Sequence, residues 1–449
     1  MTDAAISDVT SLHPGSDRYA QATTPHNAVA TQQPAMVAAP TTADQVAACV
    51  RHAAERGLRV VPQATGHGAT GALGSDVLLL DTSGLDSIDI DPEQGRARAG
   101  AGCTWGAVDA AAMEHGLLGR AGSAPDVGIT GFTFGAGAGW LTRPWGLASS
   151  ALVAVEYVDG TGTVRRAADD APEERDRDAI WACRGGGGVG IAVTLEFDLV
   201  RVRVDDLWAG FRLWPIDALA DVVSAWGQSL PRFGPALCTS LTVLQAPLMP
   251  LIPTQLHGQR VVHLALASSA GAGHAQPLLD ALAAAPAPAV DTWGRSDVDR
   301  LGQIHLDPPN PVPSVGRARW LTDATPAIAL DALQVAARSD EIMMAEIRNV
   351  ANDAPTRPGA LDRAPGTFML HAVGGPDDAG STATLDTALD AMVAAASSAD
   401  TGLAIGSWSD GRDSVPDALP ADVRARVAAI ADAVDPGRVL ARSPLIAGL

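Results

Sequence analysis

Four consecutive glycines, Gly185–Gly188, with Gly190 two positions on, run from Trp181-Ala182-Cys183-Arg184 straight into the apolar stretch Ile191–Val193. Backbone so bare of side chains, yet flanked by Trp and Ile, is not a free linker. It predicts a main chain that crosses close to a flat ring or a phosphate. Two more glycine-rich segments precede it. Gln63-Ala64-Thr65-Gly66-His67-Gly68-Ala69-Thr70-Gly71 follows a short apolar strand, offers backbone N–H groups to a pyrophosphate and sets an imidazole beside whatever binds. The run Gly122 to Leu141 holds glycines at 122, 128, 131, 135, 137 and 139. That spacing loosely matches a dinucleotide fingerprint, but Pro144 breaks the helix that a Rossmann unit needs after its third glycine.

The rest of the composition narrows the partners. With 449 residues, 47% hydrophobic, the chain exceeds one ordinary core and predicts two globular lobes. Its formal charge is -20 and all 31 basic residues are Arg. An acidic chain loses the electrostatic drive for nucleic acid or an anionic membrane surface, so small molecules are the expected partners. Without lysine there is no Schiff-base or P-loop chemistry. Cys49, Cys103, Cys183 and Cys238 lack metal-like spacing, which predicts no metal site and no disulfide framework. The first 39 residues carry no basic region followed by an apolar run, and no stretch is long enough to span a bilayer, so a soluble cytoplasmic chain is expected.

Patterning divides the chain. Residues 1–34 are polar and weakly patterned, which suits an arm lying on the surface rather than a core element. The segment from Thr41 predicts a capped helix, a stop at Gly57 and a strand over 58–61. Strand patterns recur at 77–80, 88–90, 96–101, 152–158 and 191–202, and a helix is predicted over 104–119. Residues 35–205 therefore read as one domain. Residues 206–418 change character, with helical 217–230, strand-like 261–267 and Pro-rich linkers, and read as a substrate-shaping domain. The final 419–449 begin with an amphipathic helix that stops at Asp435-Pro436-Gly437.

Taken in order, Thr65-Gly66-His67, Val127-Gly128-Ile129 through Gly139-Trp140-Leu141-Thr142-Arg143, Gly146-Leu147-Ala148, Val158-Asp159-Gly160 and Trp181 to Thr194 resemble the FAD-binding oxidoreductases of the vanillyl-alcohol-oxidase, or berberine-bridge-enzyme-like, family. The resemblance covers about residues 35 to 205 and implies an α+β fold. That fold has a two-lobe PCMH-type FAD-binding domain and a substrate domain whose antiparallel sheet is covered by helices. It implies FAD as cofactor, bonded covalently to His67. The cysteine that adds a second bond in many relatives falls at Ala124, so His67 is expected to be the sole tether. The cofactor-binding positions it implies are Gln63, Ala64, Thr65, Gly66, His67 and Gly68; Gly122, Ser123, Pro125, Val127, Gly128 and Gly131; Gly135, Ala136, Gly139 and Leu141; and Gly190 and Val193. Val127 stands where a small residue accompanies oxygen access, which favours an oxidase that uses molecular oxygen. Residues 419–449 are expected to return to the FAD-binding domain.

Departures from the family pattern cluster near the chemistry. Ser150-Ala151 replaces an Asp-Asn, Val189 a Phe, and Ile405-Gly406-Ser407-Trp408-Ser409-Asp410 a Tyr-x-Asn segment; Ser443 stands for an Asn. Tyr19 and Tyr157 are the only tyrosines, so the substrate domain holds no catalytic tyrosine. The candidates for a proton acceptor are His305, His371, Glu346 and His263, of which His305, beside a Pro-rich turn, ranks first. The expected reaction is hydride transfer from a small alcohol, sugar or secondary metabolite to FAD, followed by reoxidation by oxygen. The alternative is a flavin-binding protein that has lost oxidase chemistry and performs a redox-neutral reaction or only binds a ligand.

Overall fold

The computed structural model describes residues 6–232, 234–351, 354–377 and 380–449. In the first domain, strands Arg59–Gln63 and Met36–Ala39 flank Val77–Asp81 in parallel, and Thr10–Leu12 adds antiparallel to Met36–Ala39. A second, wholly antiparallel sheet runs in the order Val164–Ala168, Leu152–Val158, Ile191–Asp198, Arg96–Gly100 and Ile88–Asp91. Helix Ala43–Arg56 packs onto both sheets. Thr42 caps it by accepting from Gln45 N–H, and Gly57, at φ 67°, ends it in the left-handed conformation glycine adopts without strain. The predicted helix over 104–119 is shorter, Trp105–Met113. Leu117 and Leu118 leave it to pair with Val200–Arg201.

The N-terminal segment is not a surface arm. Thr10–Leu12 extends the first sheet, Ile6, Val9 and Tyr19 are buried, and Asn27 is 1% exposed. Its low apolar content hid this, because its backbone and Asn27 do the docking. Asn27 Nδ2 donates to Ser314 O at 2.9 Å and Asn27 Oδ1 accepts from Ser314 N at 3.0 Å.

The second domain is built on one large antiparallel sheet. Its strands lie in the order Trp208–Pro215, Arg260–Ser268, Leu237–Gln245, Met344–Asn349, Phe368–Gly374, Val315–Leu321 and Asp400–Ala404. Helices Leu219–Ser229, Gln276–Leu282, Pro326–Arg338 and Ala383–Ala395 cover one face through a shared apolar core that includes Leu241, Val243, Ala345, Ile347 and Leu370. Burying each large aliphatic side chain there contributes roughly 1.5–3 kcal/mol. Strand alternation sends the intervening residues Ser240, Thr242, Glu346, Arg348 and His371 to the opposite face, toward the first domain. Helix Ala421–Val434 packs back on Glu174–Cys183 of the first domain.

Candidate functional site

A cavity of about 720 Å³ opens between the domains. Its volume falls within the range of about 300–1,000 Å³ common for ligand and cofactor pockets. The first domain contributes Gln63, Ala64, Thr65, Gly66, His67 and Gly68, then Gly122, Ser123, Val127, Gly128, Gly131 and Gly135, and then Gly187, Gly188 and Gly190. A Cβ added at Gly68 or Gly131 would stand in open space on this wall, so a side chain at either position would project into the cavity. That bare surface fits a flavin dinucleotide. Gly187 and Gly190 are bare for another reason: a Cβ would lie 2.3 Å from Ser443 Oγ at the first and 2.4 Å from the Tyr157 ring at the second. Packing within the protein, as much as a ligand, demands those glycines.

Five of the positions that the resemblance implied stand behind the wall rather than on it. Pro125 packs against Gly106 and Gly302, and Leu141 lies in an apolar cluster with Trp140 and Leu118. Gly139 approaches Ala121 so closely that a Cβ would meet its carbonyl oxygen at 1.7 Å. Ala136 is buried at φ 78° beneath Trp408, and Val193 lies in the first-domain core, its carbonyl accepting from Ala101 N–H. These residues shape the loops without facing the cavity.

His67 sits under unusual neighbours. Its ring stacks on that of His26 with centroids 3.6 Å apart and planes 12° from parallel. Both Nε2 atoms face Asp126, His67 at 3.5 Å and His26 at 3.6 Å, and both are buried without a hydrogen-bond partner. Thr65 Oγ1 lies 2.9 Å from His67 Nδ1. Two imidazoles and a carboxylate suggest a metal, but the stacking argues against it. An ion held in the plane of one ring would lie well out of the plane of the other, whereas imidazole binds metals through its in-plane lone pair. Burial, and then His67, lower the His26 pKa, so His26 is neutral near pH 7. His67 beside Asp126 holds that carboxyl below its usual range.

Across the cavity the sheet presents its polar row. Cross-strand register puts Leu213, His263, Thr242, Glu346, His371 and Ala318 in one line over six strands. His371 and His305 line the cavity; Glu346 stands behind both. Glu346 Oε1 is 3.3 Å from His305 Nε2 and 3.7 Å from His371 Nδ1. His305 Nδ1 donates to Asp307 at 2.6 Å, and His371 Nε2 lies 3.1 Å from Asp410. The result is a chain of alternating groups, Asp410, His371, Glu346, His305 and Asp307, whose two end carboxylates reach the cavity wall.

Arg348 pairs with Glu346 at 3.0 Å while its guanidinium lies 4.2 Å from the Trp140 ring and 5.0 Å from that of Trp408. Burial would raise the Glu346 pKa, but Arg348 and His305 hold it well below the usual range. Burial would lower the His305 pKa, yet Asp307 and Glu346 overcome it and push it up to about 9. His371 is raised against the same burial by Asp410 and Glu346. His263 is not part of the site: it donates from Nε2 to Ile304 O, and burial and then His305 push its pKa down to about 3.

The residues that sequence reasoning missed are His26, Asp126, Asp307, Asp410, Trp408 and Arg348. Two signals were present. His305-x-Asp307 is a histidine with a carboxylate two residues on, and the segment 405–410, noted only as a departure, supplies Trp408 and Asp410.

The comparisons agree with this geometry. The family described as FAD binding domain matches residues 34–168. (R)-6-hydroxynicotine oxidase of Paenarthrobacter nicotinovorans is 34% identical over 185 residues, 41% of this chain and 39% of that protein. Berberine bridge enzyme-like 23 of Arabidopsis thaliana is 29% identical over 207 residues, 44% of this chain and 38% of that protein. The matched region thus spans about two fifths of these relatives' length. Among solved structures, 6-hydroxy-D-nicotine oxidase of Arthrobacter nicotinovorans superposes with a TM-score of 0.82 at 20% identity, covering 99% of both chains. BBE-like 1 of Physcomitrella patens does so with a TM-score of 0.81 at 18% identity, covering 98% of both. Residues 34–168 match the FAD binding domain family, and the chain as a whole has the fold of 6-hydroxy-D-nicotine oxidase and of BBE-like 1.

Proposed function

We propose that the protein is an FAD-dependent oxidase of small molecules, with the flavin joined covalently to His67. The observation that carries the reading is the cavity itself, which has a glycine-lined wall ending at His67 on one side and two imidazole–carboxylate pairs on the other. Bound there, FAD supplies the acceptor for a hydride from a substrate C–H bond and passes the electrons to oxygen. The glycine loops hold it, with no side chains to keep it off the backbone. Trp408, whose Nε1 donates to Ala138 O, lines the cavity and packs edge-on against the His371 ring, with centroids 4.9 Å apart.

The group that takes the substrate's O–H or N–H proton is His371, steered by Asp410. Both histidines lie between two carboxylates, but those of His305 are closer, 2.6 and 3.3 Å against 3.1 and 3.7 Å for His371, and push its pKa up to about 9, which leaves His305 a positioning group. The acidic ends of the chain, Asp307 and Asp410, suit a substrate that offers hydrogen-bond donors, such as an amine or alcohol.

Purified protein should be yellow and keep fluorescent flavin on a denaturing gel after acid, with the label on the peptide containing His67. His67→Ala should release all of its flavin on denaturation. Anaerobic reduction by an amine or alcohol, followed by rapid reoxidation in air, is the expected course. Yellow protein inert to a broad amine and alcohol panel would overturn the oxidase reading.

A further inference from the structure

Among the described residues seven large apolar side chains are exposed, and four of them, Leu248, Met249, Leu251 and Met343, belong to one corner of the second domain. Scattered singly such residues need no explanation, but a cluster marks a place where something apolar is held. Leu248 is 78% and Leu251 53% exposed. The loop that carries them, 246–258, is braced rather than slack. Pro247, Pro250 and Pro253 restrict its backbone, and Gly258 N–H donates to Ala246 O across its base. His257 Nε2 lies 2.9 Å from Ile252 O and 3.2 Å from Met249 O. Ile252 and Leu256 are buried in one apolar cluster with Leu244 and Val261, so the loop has its own anchor while Leu248 and Leu251 stay in solvent.

This corner is continuous with the cavity. On the sheet face that carries Glu346 and His371, the next positions along the same two strands are Met344 and Val373. They are a directly opposed pair about 7 Å further along, and both line the cavity. Met343 lines the cavity too and is itself exposed. Gln245, at the root of the loop, donates its N–H to Met343 O at 3.0 Å, and Met344 packs on the same apolar cluster as Ile252 and Leu256. The other flank is polar. Gly316, paired with Val373, donates its N–H to Asp410 O and accepts from Arg412 Nε. An apolar track thus leads away from His371 over Val373, Met344 and Met343 to the loop.

We infer that the substrate carries an apolar chain or ring system beside its reacting amine or alcohol, and that this part lies along Val373, Met344 and Met343 and ends against Leu248 and Leu251. The polar end rests on the oxidase reading above, with His371 and Asp410 taking the donor group. A sugar is a poor occupant of the track, because its hydroxyls would give up water there and find no partners. Two other occupants fit the patch less well. A formal charge of -20 opposes an anionic membrane surface. Four partly exposed side chains fall short of the roughly 800 Å² per partner that a stable second copy buries.

The test is calorimetric titration of the purified holoprotein with 1-aminoalkanes from butyl to decyl, each below its micelle concentration. Affinity should rise about two- to fourfold per added methylene while the chain extends along the track, then level off beyond the loop. In the double variant Leu248→Ser/Leu251→Ser, checked by its melting curve, the rise should end earlier. Decylamine should there lose about tenfold against butylamine relative to wild type. Affinity independent of chain length in wild type, or the same rise in both proteins, would overturn the assignment. A flat series with flotation on phosphatidylcholine vesicles that the double variant lacks would give the patch to a membrane. A flat series with a dimer in sedimentation that the double variant lacks would give it to a second copy, and either overturns the substrate assignment. Colourless protein, or protein that oxidises no amine or alcohol, would instead overturn the oxidase reading and leave the calorimetric result standing, since that measurement needs no turnover.

Discussion

Glu346 and His371 face each other directly across adjacent strands, and the same Glu346 carboxylate also reaches His305 at 3.3 Å and Arg348 at 3.0 Å. One buried anion thus faces a guanidinium and two imidazoles, each imidazole also paired with an outer carboxylate. Glu346→Gln leaves them mutually repelling in a dry interior. It should cost about 3–5 kcal/mol, because removing one partner strands the other charges without solvent. Urea unfolding would show this as a lower midpoint at pH 7, and a midpoint unchanged from wild type would mean the cluster is better hydrated than its burial indicates.

The two histidines should separate by kinetics. His371→Ala is expected to lower turnover by about 10²-fold. His305→Ala should lower it less and mainly through substrate binding. Both imidazole pKa values are raised, so the neutral form of His371 appears only above its ordinary value of 6.5. The acid limb of kcat/KM in wild type should therefore lie above that value, with activity rising as pH increases. A limb near pH 4, typical of a lone carboxylate, would move the proton acceptor to Asp410.

Val127 lies on the cavity wall, half-buried against the first-domain core. Under the oxidase reading proposed above, Val127→Leu adds a methylene on the path of oxygen to the flavin. Stopped-flow reoxidation should slow while reduction by substrate is spared. Equal slowing of both half-reactions would indicate a displaced flavin instead.

Asp109 offers a stability test away from the site. Burial raises its pKa to about 7, against the Gly119 N–H that donates to it. A carboxyl whose folded-state pKa is raised stabilises the fold fully at low pH and loses that contribution as pH climbs from its unfolded value toward the folded one. Between about pH 4 and 7 the Asp109 contribution should therefore fall steadily. Asp109→Asn keeps the acceptor oxygen without the charge. Its Tm should exceed that of wild type at pH 8 and match it below about pH 4; a constant difference at both would place the cause outside ionisation.

What the sequence made legible was what a local segment dictates by itself. The glycines at 66, 68, 128 and 131 announce bare backbone, and the caps at Thr42 and Thr104 announce helices. The flavin wall could be read from such local demands. The opposite wall could not, because it depends on register between strands far apart in sequence: Thr242, Glu346 and His371 meet only once three strands pair. Asp410 was hidden for the same reason, being an ordinary loop carboxylate until the fold puts it beside His371, whereas Asp307, two residues after His305, was legible locally and overlooked. His26 was missed because a polar segment with little apolar patterning gives no sign that its backbone will dock.

The contact between Asn27 and Ser314 has a consequence for how the protein comes into being. It joins residues 287 positions apart, and it closes the segment that covers His67. Contacts so remote in sequence are slow to form and wait on the structures between them. During synthesis the tether loop emerges early, but the second anchor of its cover, at 312–314, follows only when about half of the second domain has left the ribosome. The last brace on the tether loop is therefore set by the second domain, and the cradle is complete only when the two domains meet.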